Sequence, residues 1–528
     1  LKSEKAVLNI GPSLDAPIDL PRLLRRGLEA KPDAVAMVSL ETRWTWREAE
    51  AASDRYAASL AELGLRPGDR IASLMPNRTA LLIHYLACMK AGFVSVPLNY
   101  RYMAPEIDHA LEVSGASALF VHDERMGDLE KSEQVGQLPL GLIRYGAGDE
   151  DGPSYEAFIE RNGPDIDVPP PGPSDPAFIF FTSGSTGPAK GVTHSVASAG
   201  YMIASAAGAF EMTADDIVLP GSSISHLGGF MFSLAALAVG ARAVVARSVL
   251  ADEILPLLRE DRPTVLCMLP SALFALVRDG ATSREDFASI RLCRAGADKV
   301  PAELEREFTE LTGHVIDEGY GCSEAGLIAL NPPSGVIKAG SVGIACAGFA
   351  LSVRDDNGQD VPADSDGNLW IKTPTVMAKY WNQPEATEAV FSDGWFDTGD
   401  LMRMDSDGYL WFRGRKKQII VHDGSNIAPQ EVEDALLDHP AVDSAGVVGV
   451  HDLLHGENVR AYITLRPGQP RPSTQELIRF VRARIGYKAP EEIEVLDEMP
   501  LNPTGKVDRL KLKRMAEDQA HRDAAAAG

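Results

Sequence analysis

From residue 44 onward, helical and strand patterns alternate along the chain, which confines it to folds that lay helices against a mostly parallel sheet. Ala52, Tyr56, Leu60 and Leu63 share one helical face, after which Pro67, Gly68 and Asp69 turn the chain into an apolar strand at residues 71–75. The unit recurs at once, with a helix over 81–90, a stop at Gly92 and a β-branched strand over 93–98. Further apolar runs at 177–181, 243–246 and 264–269 are separated by helical stretches such as 301–312, where Leu304, Phe308 and Leu311 recur at helical spacing. The reading is an α/β chain with buried strands.

Two changes of pattern organise this chain of 528 residues. The segment 164–176, with Pro169, Pro170, Pro171 and Pro173, is too proline-rich for a core element and is read as a surface crossing between subdomains. Past residue 413 the pattern shortens to a helix at 429–437, strands near 447–450 and 461–465, a helix opened by a capping box from Ser473 to Glu476, and a strand at 493–496. The expectation is a large, multi-subdomain amino-terminal domain over 1–413 and a small mobile α+β domain over 414–528.

Composition removes several function classes. Lys plus Arg number 51 and Asp plus Glu 75, so the formal net charge of −24 repels phosphate backbones and no nucleic-acid partner is expected. The five cysteines are scattered, odd in number and never in a C-x-x-C pair, which suggests neither a disulfide framework nor a zinc site. The longest apolar tract, near 231–246, is interrupted by Gly240 and Arg242, and the first residues are polar, so neither a membrane span nor a secretory signal is read. A cytoplasmic setting is expected, with oligomeric state left open between a monomer and a homo-oligomer.

The most informative segment is Phe181-Thr182-Ser183-Gly184-Ser185-Thr186-Gly187-Pro188-Ala189-Lys190-Gly191, which follows the apolar strand directly. Glycines let backbone N–H groups converge on an anion, the Ser and Thr hydroxyls add donors and Lys190 adds charge, a composition suited to phosphates rather than to a plain surface loop. It lacks the spacing of a Walker A loop.

With this run the chain resembles the ANL superfamily of adenylate-forming enzymes, which includes acyl- and aryl-CoA synthetases. Further matches follow in the family's order: Tyr320-Gly321-Cys322-Ser323-Glu324, Trp395-Phe396-Asp397-Thr398-Gly399-Asp400, Gly414-Arg415 with Asn426, and Pro503-Thr504-Gly505-Lys506. The resemblance implies ATP and Mg²⁺ as cofactors and coenzyme A as co-substrate, with a small-molecule carboxylic acid as the partner. It implies that Asp400, in a Thr-Gly-Asp turn, accepts bonds from ribose hydroxyls and that Arg415 helps to hold the ribose. Tyr320 offers a face to adenine, Gly321 lies beside it, Ser323 supplies a hydroxyl for the α-phosphate, and Glu324 is the Mg²⁺ ligand. Gly296 and Ala297 let backbone approach the adenine, and Lys506 is the adenylation lysine.

For the second half of the reaction, similar enzymes rotate the small domain about a hinge, here Lys417, and bring a Gly-Gly segment to the thiol channel. Only Gly424 survives of that pair, because Asp423 stands where the first glycine is expected. The family's Gly-Tyr pair is altered to Lys379-Tyr380, a change read as structural. His226 falls where the family flanks the reacting carboxylate, and Leu227 and Phe230 suggest an apolar pocket for a fatty or aromatic acid. Amino-acid-activating relatives carry an aspartate where this chain has Leu227, and a buried ammonium without a counter-charge costs several kcal/mol. The alternatives are an adenylating enzyme that delivers to a separate carrier protein, and an inactive nucleotide- or acyl-binding homologue.

Overall fold

The computed structural model describes residues 9–146, 152–161, 168–182, 188–296, 300–422, 425–452, 456–503 and 505–527. The first helix–strand unit forms as its sequence dictates. Helix Trp46–Leu63 opens on a reciprocal capping box between Thr45 and Glu48 and ends at Gly64, whose φ of 122° a side chain would resist. Its apolar face buries Trp46, Ala49, Ala52, Tyr56 and Leu60. Helix Thr79–Ala91 is apolar nearly all round because it is covered on every side, and Gly92 stops it in the left-handed conformation.

Among the described residues the strands form four sheets. In the seven-stranded sheet, Pro176–Thr182, Val94–Pro97, Arg70–Leu74, Ala118–His122 and Leu142–Tyr145 run parallel, and Lys190–Ser195 and Lys379–Tyr380 close one margin antiparallel. The nine-stranded sheet has a parallel centre, from Ile316–Cys322 through Leu292–Ala295, Val265–Met268, Ile217–Gly221 and Arg242–Val244 to Val35–Val38, with antiparallel margins. Buried residues of both sheets share one core with helices Trp46–Leu63, Thr79–Ala91, Val196–Ala209 and Leu227–Val239.

A six-stranded sheet follows, and the fourth, five-stranded sheet begins at Ile420–His422. Strand Leu410–Arg415 pairs with Trp395–Met404 in the six-stranded sheet, so the change of sheet falls across the short helix Lys416–Gln418, which contains Lys417. The result is a large α/β domain with a smaller carboxyl-terminal one. No helix among the described residues is long and apolar enough to cross a membrane.

Two local expectations need correction. The proline-rich segment lies between helix Tyr155–Glu160 and strand Pro176–Thr182, and that strand shares a sheet with Leu142–Tyr145 before the helix, so the connection stays within one sheet rather than passing between subdomains. Of the expected capping box at helix Thr474–Ile485, the serine half forms: Ser473 Oγ accepts from the Glu476 N–H.

Candidate active site

Parallel strands deliver their following loops to one edge of a sheet, and several of the candidate residues lie on such loops. Pro176–Thr182 runs into the phosphate-loop sequence, Ile217–Gly221 leads to His226, Leu292–Ala295 to Gly296, and Ile316–Cys322 to Ser323 and Glu324. Ser183, Gly184, Ser185, Thr186, Gly187, Ala297 and Gly424 lie outside the described residues, as does Asp423. Thr182 ends its strand, opposite Lys190 in the pairing with Lys190–Ser195.

Glu324 sits at the tip of a hairpin between Ile316–Cys322 and Gly326–Leu330. Gly321 is required there, because a Cβ on it would stand 2.3 Å from the carbonyl oxygen of Gly326. The hairpin tip is tied down from behind: His194 Nε2 lies 2.8 Å from the Ser323 carbonyl, and the Met377 N–H donates to the Glu324 carbonyl at 2.6 Å. The Tyr380 hydroxyl donates to Glu324 Oε1 at 2.9 Å.

Asp400 does not stand in a simple turn. Trp370 pairs with Asp397 and Asn368 with Leu401, so Thr398, Gly399 and Asp400 bulge out of strand Trp395–Met404. The bulge is held by Thr398 Oγ1, which donates to the Leu369 carbonyl and accepts from the Asp400 N–H. The buried Asp400 carboxylate accepts from the Tyr320 hydroxyl at 2.5 Å through Oδ2, and Arg415 Nε lies 3.1 Å from Oδ1. Burial raises the Asp400 pKa, with Arg415 and Tyr320 pulling the other way. Tyr320 is itself buried, and its phenol is pushed up by that burial and by Asp400.

His226 stands at the amino-terminal end of helix Leu227–Val239. Burial first, then the positive charges of Lys506 and Arg101, lower its pKa to about 4. Lys506 reaches this region because its loop docks on the large domain, with Asn99 Nδ2 donating to the Pro503 carbonyl at 2.9 Å. The lysine's field acts on both His226 and Asp400. A second tie between the domains is the ion pair of Arg466 with Glu303.

The pocket residues separate. Leu227 opens the helix beside His226 at 7% exposure. Phe230, one turn on, has no exposed surface and lies 4.5 Å from Phe178, 5.1 Å from Phe180 and 5.2 Å from Tyr85, ring centre to ring centre. It is a core residue in this conformation, and truncating it would cost stability on the order of 3 to 5 kcal/mol. Gly296 follows its strand with room around it, the nearest atom to an added Cβ being the Gly319 carbonyl oxygen at 3.8 Å.

The fit of the implied ligands follows from these atoms. Asp400 Oδ1 is buried and, among the described residues, accepts no hydrogen bond, although Arg415 Nε lies 3.1 Å away. A ligand hydroxyl would complete it. For Mg²⁺, no group of three or more His, Cys, Asp or Glu side chains converges among the described residues. Glu324 alone suits an ion that takes most of its oxygens from phosphates and water.

A profile of the AMP-binding enzyme family matches residues 24–381, and one of the AMP-binding enzyme C-terminal domain matches residues 431–506. The chain belongs to the ANL superfamily of adenylate-forming enzymes. It is 32% identical over 494 residues to a feruloyl-CoA synthase from Amycolatopsis sp, covering 93% of this chain and 97% of that one. Solved structures agree. The anthranilate CoA ligase AuaEII in complex with anthranoyl-AMP superposes with a TM-score of 0.88 at 26% identity, over 96% of this chain and 99% of its own. ATP-bound MatB from Rhodopseudomonas palustris gives 0.87 at 26% identity, over 95% and 99%. This chain is therefore an adenylating enzyme of the acid–CoA ligase type.

Two neighbours of the site escaped the sequence reading. Tyr380 stands in an altered motif whose change reads as structural, and His194 carries no signal beyond its place four residues after Lys190 on a strand buried from Gly191 to His194.

The buried histidines are expected to make the enzyme acid-labile. Burial lowers His194 and His226 to about 4 and His84 to about 3. Below the unfolded value near 6.5 the unfolded chain binds protons that the native state refuses, so stability is full above about pH 6.5 and falls as pH drops towards 4. For the fully buried His194 the loss over that interval is on the order of 3 kcal/mol. His194→Gln, whose amide nitrogen can take over the bond to Ser323, is expected to unfold with a shallower dependence on pH between 6.5 and 4. Denaturant midpoints across that range measure it, and parallel curves for parent and variant would reject it.

Proposed function

We propose that this enzyme activates an apolar acid, aromatic or fatty, as its acyl adenylate with ATP and transfers the acyl group to coenzyme A. The observation that carries the reading is the docking of the Pro503–Lys506 loop on Asn99, from which the Lys506 charge acts on both His226 and Asp400. A carboxylate and a nucleotide are the two ligands that such a distribution of groups suits.

In the first step the acid's carboxylate oxygen attacks the α-phosphorus, and the bond to the leaving pyrophosphate breaks. Negative charge shifts from the carboxylate to the bridging and leaving oxygens, and Lys506 is suited to follow it as a point charge. Asp400 and Arg415 hold the ribose, and Lys190 faces the phosphates. Mg²⁺, bound through Glu324, would neutralise phosphate charge. His226 is neutral above about pH 5, so its ring flanks the carboxylate without competing with Lys506 for it. In the second step the small domain turns about Lys417, and the thiol of coenzyme A displaces AMP from the acyl carbon.

Within apolar acids, aromatic ones are the first choice, because two of the relatives named above are a feruloyl-CoA synthase and an anthranilate CoA ligase. The test is pyrophosphate release over a panel of aryl, fatty, dicarboxylic and amino acids, with and without coenzyme A. Release with aryl or fatty acids, and thiol-dependent AMP release with coenzyme A alone, supports the reading. No release with any acid would end it.

Leu227 gives the pocket its own test. Leu227→Asp puts a carboxylate where it must be desolvated beside the acyl tail or repel the substrate's charge. The specificity constant for the best apolar acid is expected to fall about ten- to two-hundred-fold with ATP binding unchanged. An unchanged acid profile in the folded variant would remove Leu227 from the pocket.

A further inference from the structure

We infer that Tyr380 is a positioning residue that fixes the metal-binding carboxylate of Glu324 to the lysine end of the phosphate loop. The inference rests on the proposed role of Glu324 and adds to it a residue that couples two parts of the site.

Tyr380 is held by its backbone before its side chain does anything. It lies in strand Lys379–Tyr380, opposite Val192 of Lys190–Ser195, and its N–H donates to Thr387 Oγ1 at 3.0 Å. The Trp381 N–H then donates to the Gly191 carbonyl at 2.7 Å. Gly191 has no room for a side chain, since a Cβ there would meet Ile179 Cγ2 at 2.9 Å and Trp381 Cβ at 3.2 Å. The ring is therefore clamped against the strand that carries Lys190.

From that position the two ends of one side chain meet two charged groups. Lys190 Nζ stands 4.6 Å from the ring centre, within cation–π range, and the hydroxyl donates to Glu324 Oε1. Tyr380 is 6% exposed, so its hydroxyl is held against Glu324 rather than shared with bulk water. A donor on one carboxylate oxygen fixes the plane of the group and leaves the other oxygen to face a cation, as outer-sphere partners of metal ligands do. The cost of losing such a partner is commonly about 10- to 100-fold in metal affinity.

The two contacts can be separated by substitution. Tyr380→Phe keeps the ring under Lys190 and removes only the hydroxyl, whereas Tyr380→Leu removes both. Binding is read by the electron paramagnetic resonance of Mn²⁺ titrated into enzyme with a non-hydrolysable ATP analogue, alongside calorimetric binding of the analogue without metal. Tyr380→Phe is expected to weaken Mn²⁺ binding about tenfold or more with metal-free nucleotide affinity unchanged, and Tyr380→Leu to weaken both. In a Glu324→Gln background the Phe substitution should add little, because both act through one carboxylate. Parental Mn²⁺ binding in Tyr380→Phe would overturn the inference, as would an equal further loss in the Glu324→Gln background. If Glu324→Gln itself left Mn²⁺ binding unchanged, the assignment of the metal to Glu324 would fail instead.

Discussion

Lys506→Ala is expected to lower acyl-adenylate formation by about two to three orders of magnitude while leaving thioester formation from a supplied acyl adenylate within a few-fold of the parent. The side chain is exposed and projects from a loop, so its removal opens no cavity in the core. What is lost is a positive charge whose field acts on His226 and Asp400 when the loop is docked through Asn99 and Pro503. That charge matters only while the carboxylate oxygen bonds to the α-phosphorus and pyrophosphate leaves. Once the adenylate exists, the proposed turn about Lys417 carries the lysine away. ATP–pyrophosphate exchange measures the first step, and single-turnover reaction of a prepared acyl adenylate with coenzyme A measures the second. Equal losses in both steps, in a folded variant, would remove the two-conformation account.

The contrast between what could and could not be read from the chain follows the range of the interactions. Helix Thr79–Ala91 with its Gly92 stop and helix Pro429–Leu437 are local patterns, and their periodicity and end signals announce them. The order of strands is not local. Proline content at 164–176 reports a stiff, solvent-facing path and says nothing of which strands flank it, so a connection inside one sheet carries the same sequence signal as a boundary between subdomains. The site shows the same division. Thr182, Lys190, Glu324 and Asp400 stand in recognisable motifs, yet the bonds that orient them run between distant residues, Tyr380 to Glu324 and His194 to Ser323. Phe230 packs into the core for a geometric reason. It follows Leu227 by three positions on one helix, but that turn faces Tyr85, Phe178 and Phe180 in the core.

Glu324→Gln should show how much depends on a single carboxylate. Among the described residues no cluster of acidic, histidine or cysteine side chains shares the task of holding a cation, so little remains to compensate when Glu324 loses its charge. The amide keeps the length of the side chain and an oxygen that can still accept from the Tyr380 hydroxyl, and the hairpin tip stays tied through the Ser323 and Glu324 carbonyls. The fold is therefore preserved while a hard cation loses its anionic ligand. Pyrophosphate release at sub-millimolar Mg²⁺ is expected to fall by about a hundredfold, with part of it restored by excess Mg²⁺ because the ion's remaining oxygens come from phosphate and water. A Mg²⁺ titration of the folded variant superimposable on that of the parent would exclude Glu324 from the metal site, and the phosphate charge would then have to be met by the lysines at 190 and 506.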